Sequence, residues 1–191
     1  MSAAHGWLRF RETGRSLSRR LDEDPRPWQA DILADHRRWY GPDAPAQVAG
    51  VFVLQYLLQV PAQAASCAAA VGLRVASLAE LTFDLGEGHA PRAVELGRLE
   101  PGEGRLEQDL AGAEADYRAV AAPLADGYVS TRRMSSQQRR GMVDDMWEEA
   151  AGDVRARAGR PRGRRRRVSC CLIYALPGCA ECAGCPRATR R

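Results

Sequence analysis

One long apolar run in the first half of the chain constrains the fold most. Val48–Leu73 reads VAGVFVLQYLLQVPAQAASCAAAVGL, which is long enough to raise the question of a membrane span. Three glutamines interrupt the run, and Pro61 ends the helical pattern after thirteen residues. We therefore predict a buried core helix over Val48–Val60 and a second, alanine-rich helix over Ala62–Val71, with no membrane span.

Apolar residues at helical spacing indicate further helices on both sides of this run. Trp28–Tyr40 carries a short amphipathic pattern, and Leu106–Ala122 carries a longer one. A last helix is predicted to begin next to Ser135, because Ser135 and Gln138 stand in the positions of a capping box. Most of the body is thus expected to be helical.

Two short stretches between these helices change to the period of a β-strand. Leu81–Leu85 and Arg92–Leu96 alternate apolar and polar residues, and GEGHAP between them has turn chemistry. They predict neighbouring antiparallel strands, whereas residues 1–24 are interpreted as a loose, arginine-rich helix or a partly ordered arm. The predicted fold class is α+β, with a mostly helical body, a small antiparallel sheet and a cysteine-rich tail.

Charge is distributed unevenly, and this asymmetry suggests three parts. The chain has no lysine, and residues 1–158 hold 19 arginines against 23 Asp and Glu. The remaining 33 residues hold nine arginines and one carboxylate, Glu181. We predict a body over 1–158, an arginine-rich linker over 159–167 and a metal-binding segment over 168–191.

Five of the six cysteines lie between Ser169 and Arg187, in SCCLIYALPGCAECAGCPR. The N-terminus has no signal-peptide pattern, so we expect a cytoplasmic protein, in which clustered thiols bind metal or carry out redox chemistry. The spacing of Cys182 and Cys185 lets both sulfurs reach one metal ion. The side chains of Cys170 and Cys171 point to opposite sides of an extended chain, which favours a cluster with two metal centres over a single zinc ion.

The pattern Cys-Cys, ten residues, Cys, two residues, Cys resembles the C-terminal motif of the FhuF-like ferric siderophore reductases. It falls on Cys170, Cys171, Cys182 and Cys185, and the flanking LIY, LPG and CPR are similar as well. The resemblance implies a [2Fe–2S] cluster held by these four cysteines and an oxidoreductase that reduces siderophore-bound Fe(III) by one electron. Fe(II) binds hard oxygen ligands far more weakly than Fe(III), so reduction releases the metal.

The resemblance also implies an electron donor, which is a ferredoxin or an NAD(P)H-dependent reductase. The sequence has no glycine-rich dinucleotide or flavin fingerprint, so the chain is not expected to accept hydride itself. Two alternative functions stay open. One is a [2Fe–2S] electron carrier without siderophore specificity, and the other is a structural zinc protein with a basic tail.

Cys179 leaves the ligand set open. It creates CAECAGCP, which is similar to the bacterial ferredoxin run for a [4Fe–4S] cluster, except that the downstream fourth cysteine is missing. Cys179 is therefore either a spare thiol beside a two-iron cluster or a substitute ligand, with Cys170 or Cys171 as the fourth ligand of a four-iron cluster.

Several polar groups have plainer interpretations. The arginines of 160–167 form a solvated linker, attract an anionic siderophore or donor, or bind nucleic acid; no recognition module supports nucleic acid, and we predict no such partner. Cys67 is expected in the core and His36 on the surface. Four acidic residues of the last helix are predicted to form a solvated face: Asp144, Asp145, Glu148 and Glu149.

Overall fold

The computed structural model describes residues 9–11, 19–161 and 166–188. The helices are α1 (Arg26–Tyr40), α2 (Ala46–Ala69), α3 (Leu106–Gly127) and α4 (Ser136–Arg157). The strands are β1 (Arg9–Arg11), β2 (Arg19–Arg20), β3 (Leu73–Val75), β4 (Thr82–Leu85), β5 (Pro91–Glu95) and β6 (Leu99–Pro101). This arrangement confirms the predicted α+β class.

Helix α2 is the centre of the molecule, and α1, α3 and α4 all pack against it. By length and composition α2 could cross a membrane, but 83% of its most apolar window is buried inside the fold. The predicted break at Pro61 is wrong, because α2 runs through this residue without interruption. Pro61 is itself buried, so tertiary packing around α2 stabilises the helix despite the missing backbone donor.

Helices α3 and α4 pack against each other and against α2. Helix α3 continues through Pro123 and ends five residues beyond its predicted end at Ala122. The predicted cap of α4 is confirmed, since the backbone N–H of Gln138 donates to the Ser135 side chain at 3.1 Å. The rings of Tyr117 and Trp147 stack between the two helices with centroids 5.5 Å apart.

The strands form two small sheets. The predicted pair of antiparallel strands is present as β4 and β5, with Phe83 opposite Val94. Strand β1 joins β5 in parallel and β2 joins β4 antiparallel, so the four-stranded sheet in the order β1-β5-β4-β2 is mixed. Strands β3 and β6 form a separate antiparallel pair. The N-terminal arm thus contributes strands rather than a helix at 9–11 and 19–20, while 1–8 and 12–18 lie outside the described residues.

One prediction about exposure in α1 needs correction. His36 was expected on the surface, but its side chain is 5% exposed and its ring packs edge-on against Phe52 of α2. The reason is helical register, since His36 follows the buried Ile32 by one turn and shares its inward face. Trp39, at the end of the same helix, is 52% exposed and does not contribute to the core.

Candidate metal centre

The cysteine-rich tail folds back on the helical body. Leu172 has a left-handed backbone conformation, with φ at 59°, and a single 3-10 turn over Ile173–Ala175 follows it. Leu176 then inserts into a small apolar cluster with Ala44 and Val48, next to the start of α2. The reversal at Leu172 returns the chain, so that its last cysteines lie beside its first ones.

Asp145 of α4 anchors the start of the tail. One carboxylate oxygen accepts the backbone N–H of Val168 at 2.9 Å. The other oxygen accepts the backbone N–H and the hydroxyl of Ser169 at 2.8 and 2.5 Å. The Asp145 side chain is 1% exposed, so the prediction of a solvated acidic face is wrong at this position. The buried carboxylate is retained because donors from the tail surround it.

Arginine side chains and backbone bonds hold the two ends of the tail together. The Arg167 side chain donates to Gln55 of α2 at 3.2 Å and lies 3.5 Å from Asp145. Its backbone N–H donates to the carbonyl of Gly184 at 3.0 Å, which ties the first residues of the tail to the last cysteine pair. The Arg166 side chain donates to the Pro186 carbonyl at 2.8 Å. Arg167 is therefore part of the folded structure rather than a solvated linker residue, and residues 162–165 lie outside the described part of the chain.

The two cysteine pairs of the tail are brought together through Cys171 and Cys182. The Sγ atoms of Cys171 and Cys182 are 3.7 Å apart. Two thiolates on one tetrahedral metal ion with bonds of about 2.3 Å would be about 3.8 Å apart, so this pair already has the spacing of metal ligands. Cys170 interacts electrostatically with Cys185 and Cys171, and Cys182 interacts with Cys171 and Cys185. All four are free thiols.

Cys179 lies elsewhere in the tail. It is half-buried and packs against the apolar cluster around Leu176, on the segment between the two cysteine pairs. Within the described residues, no three His, Cys, Asp or Glu side chains converge on one point. Two separate pairs of thiols suit a bridged pair of metal ions, with one pair on each ion, better than they suit a single ion with three or four ligands.

Burial and the nearness of other sulfurs make the thiolate form of these cysteines unfavourable when no cation is bound. Burial, followed by the neighbouring Cys171 thiol, raises the pKa of Cys182 to about 11, while Arg167 acts in the opposite direction. Burial also raises the pKa of Cys170. The backbone N–H of Arg187 donates to the Cys185 sulfur at 3.4 Å, which is the kind of contact that stabilises a metal-bound thiolate. A bound cation would relieve the crowding, so the donor set fits an iron–sulfur cluster.

The site lies at the surface with one side open. Cys171 and Cys185 are 6% and 4% exposed, whereas Cys170 and Cys182 are half-buried. The Gln138 side chain donates to the carbonyl of Cys170 at 2.9 Å and fixes that half-exposed residue beside the start of α4. Sequence reasoning missed Asp145 and Gln138 as supports of the tail. The one available signal was that Asp145 follows Met142 by three residues and so lies on the apolar face of α4.

Comparison with known families agrees with this geometry. Residues 167–187 match the family model described as the FhuF 2Fe-2S C-terminal domain, while no curated protein and no solved structure matches the chain. The matched segment begins at Arg167 and ends at Arg187, so it contains all five cysteines of the tail. The match confirms the resemblance to the FhuF-like family over this segment and indicates a [2Fe–2S] cluster. The match supports an iron–sulfur protein whose C-terminal segment is related to that of the siderophore-iron reductases.

Proposed function

We propose that the protein reduces siderophore-bound Fe(III) by one electron, using a [2Fe–2S] cluster held by its two cysteine pairs. The proposed ligands are Cys170, Cys171, Cys182 and Cys185. The observation that carries the proposal is the FhuF 2Fe-2S match over a segment in which the Sγ atoms of Cys171 and Cys182 lie 3.7 Å apart, with Cys170 half-buried in the same segment. In this proposal residues 1–158 support the site, 159–167 link it and 168–191 bind the cluster.

When bound, the cluster would supply the one-electron redox chemistry that converts the Fe(III) of the chelate to Fe(II), with a donor protein as the source of the electron. The protein holds and orients the thiols. Asp145 and Arg167 fix the tail on the body. Leu176 packs in an apolar cluster on the side of the tail that faces the body, which keeps water away from that side. The resulting Fe(II) dissociates from the hard oxygen ligands. The electron comes from a ferredoxin or an NAD(P)H-dependent reductase in the cytoplasm.

Anaerobic purification tests the cluster directly. We expect a red-brown protein with about two iron and two sulfide per chain and an EPR signal after reduction by dithionite. Replacing any of the four proposed ligands by Ser should abolish or strongly reduce cluster content, whereas Cys179→Ser should retain it. A colourless protein that holds only zinc would contradict the proposal, and loss of the cluster in Cys179→Ser would contradict the ligand set.

Reoxidation of the reduced protein separates a reductase from a general carrier. We expect ferric siderophores to reoxidise the reduced cluster faster than an unrelated one-electron acceptor protein does, with Fe(II) captured by a chelator in equal amount. Equal rates for both kinds of acceptor would favour the alternative of an electron carrier without siderophore specificity.

A further inference from the structure

A groove of about 300 Å³ lies directly beside Cys170. The first turn of α4 forms one wall, with Gln137 and Gln138, and the tail forms the other, with Tyr174 and Arg187. Gln137 is an exposed residue of this lining. Because Cys170 belongs to the lining, the groove gives an outside molecule the direct approach to one of the proposed ligands.

Arg187 gives the groove a fixed positive charge. Its guanidinium donates to the Tyr174 hydroxyl at 2.6 Å and lies 4.2 Å from the centre of the Tyr174 ring. These two contacts hold a long, exposed side chain in one place at the mouth of the groove. Arg187 is the one charged side chain among the described residues that line the groove, and no carboxylate is among them.

The remaining polar groups of the lining suit oxygen-rich ligands. Gln137 carries an amide that can donate a hydrogen bond, and the phenol of Tyr174 also belongs to the lining. The volume is too small to enclose a whole metal chelate of siderophore size, so a chelate would rest one face in the groove. Such a face consists of chelating oxygen atoms, which carry the negative charge of the complex.

We propose that this groove is the docking site for the electron acceptor and that it selects anionic, oxygen-ligated ferric chelates. The inference rests on the proposed function, because it names the substrate class of the same site. Arg187 attracts the negative charge of the chelate, and the groove places the chelate against Cys170, the half-exposed ligand. The chelate is held by contacts to its periphery, so no ligand exchange at its iron is required before electron transfer.

Binding of a redox-inactive chelate tests the groove without relying on catalysis. Gallium(III) has the charge and ligand preference of iron(III) but is not reduced under these conditions. We would titrate the cluster-loaded full-length protein with two gallium chelates by calorimetry. One is a hexadentate tris(catecholate) complex of charge −3, and the other is a neutral hexadentate tris(hydroxamate) complex.

Two variants separate the contribution of charge to chelate binding from the contribution of the groove's shape. Arg187→Gln should weaken binding of the trianion by about fivefold, the upper range for an exposed ion pair, and leave the neutral chelate unchanged. Gln137→Trp fills the groove and should weaken both. The matched control is Arg155→Gln, since Arg155 pairs with Glu107 near the other end of α4, about 27 Å along the helix from Gln137. Visible spectra should show the same cluster in all variants.

Each outcome bears on one of the two proposals. Equal affinity of wild type and Arg187→Gln for the trianion, unchanged binding in Gln137→Trp, or no binding of either chelate by the wild type would overturn the groove. If the expected pattern appears but the reduced protein leaves the iron(III) forms unreduced, the groove stands and the proposed reductase function is wrong. Reduction of iron(III) chelates that is indifferent to both groove variants would overturn the groove alone.

Discussion

At the scale of single residues, attachment of the tail depends most on Asp145. Its carboxylate accepts three hydrogen bonds from Val168 and Ser169 and lies beside Arg167, while its side chain is almost completely removed from water. Removing one acceptor from such a cluster leaves a buried donor without a partner, which costs about 1–3 kcal/mol. Asp145 is thus expected to hold the first cysteine pair in place.

We predict that Asp145→Asn loosens the tail and speeds loss of the cluster. An amide has one acceptor oxygen in place of two, and it adds two donors next to those of the tail. Cluster loss under a fixed concentration of iron chelator, followed by visible absorbance, should be at least several-fold faster. The adjacent variant Asp144→Asn is the matched control, since Asp144 pairs with Arg118 on the surface. Equal rates in both variants would show that Asp145 does not anchor the tail.

We predict that the buried thiol of Cys67 makes the free energy of unfolding depend on pH, independently of the metal site. Burial raises its pKa from about 9 to about 11, so the folded state favours the neutral thiol. This contribution is fully present below pH 9 and is lost as the pH rises towards 11, because the unfolded chain ionises first. Between these pH values, the free energy of unfolding should fall by about 2 kcal/mol more in wild type than in Cys67→Ala.

Chemical denaturation at pH 8.5, 10 and 11 measures this difference. Cys67→Ala should be less stable than wild type at the lowest pH because it leaves a small cavity, and the gap should close as the pH rises. A constant gap across the range would mean that the thiol does not change its ionisation on folding.

Single positions also show where the sequence is informative and where it is silent. The cysteine spacing predicted a two-metal site because thiol chemistry depends on residue type and separation alone. The capping role of Ser135 was likewise local. The burial of His36 and Asp145 depends on which face of a helix another element covers, and the left-handed turn at Leu172 depends on the returning chain. Neither kind of information is contained in a short window of sequence.

At the scale of elements, α4 connects the body to the site. Its N-terminal turn forms a wall of the groove, its middle carries Asp145, and its buried face packs on α2 and α3. A change in how α4 begins therefore affects both the helix and the support of Cys170.

We predict that Ser135→Ala lowers the free energy of unfolding by about 1 kcal/mol, since it removes the acceptor for the backbone N–H of Gln138. Ser136→Ala is the control, because Ser136 is the first helical residue and lies outside the cap. Thermal or chemical denaturation of the two variants compares them. A loss in Ser136→Ala as large as that in Ser135→Ala would contradict the assigned cap.

The presence of most helices and strands was predictable from the periodicity of apolar residues, but the residues at which they begin and end were not. The patterns of α1, α3, α4 and the β4–β5 pair are strong because each element has one buried face. The sequence pattern places helix ends at Pro61 and next to Pro123, but both prolines lie inside helices that tertiary packing extends. The parallel pairing of β1 with β5 joins residues more than eighty positions apart, so no local pattern indicates it.

At the scale of the whole molecule, charge is separated between an acidic body and a basic C-terminal region. Residues 1–158 carry a formal charge of −4, from 19 arginines and 23 acidic residues, and 159–191 carry +8, from nine arginines and Glu181. Such a separation orients the molecule in the field of an anionic partner, so that its basic end approaches first.

We predict that electron transfer to an anionic ferric chelate slows as salt is added. Between 0.01 and 0.15 M ionic strength the Debye length falls from about 30 Å to about 8 Å, which screens the basic region. The second-order rate constant, measured by stopped-flow absorbance of the reduced protein, should fall by about threefold to tenfold for a trianionic chelate. It should change little for a neutral chelate, and an equal change for both would contradict electrostatic attraction.

The backbone bond between Arg167 and Gly184 has a consequence for how the protein is maintained. It closes the loop of cysteines through main-chain atoms, and the Asp145 carboxylate fixes the same loop from the body side. We therefore expect the proposed ligands to be ordered when the chain folds, before iron is bound. A cluster lost to oxygen would then be rebuilt on a tail that is already in place.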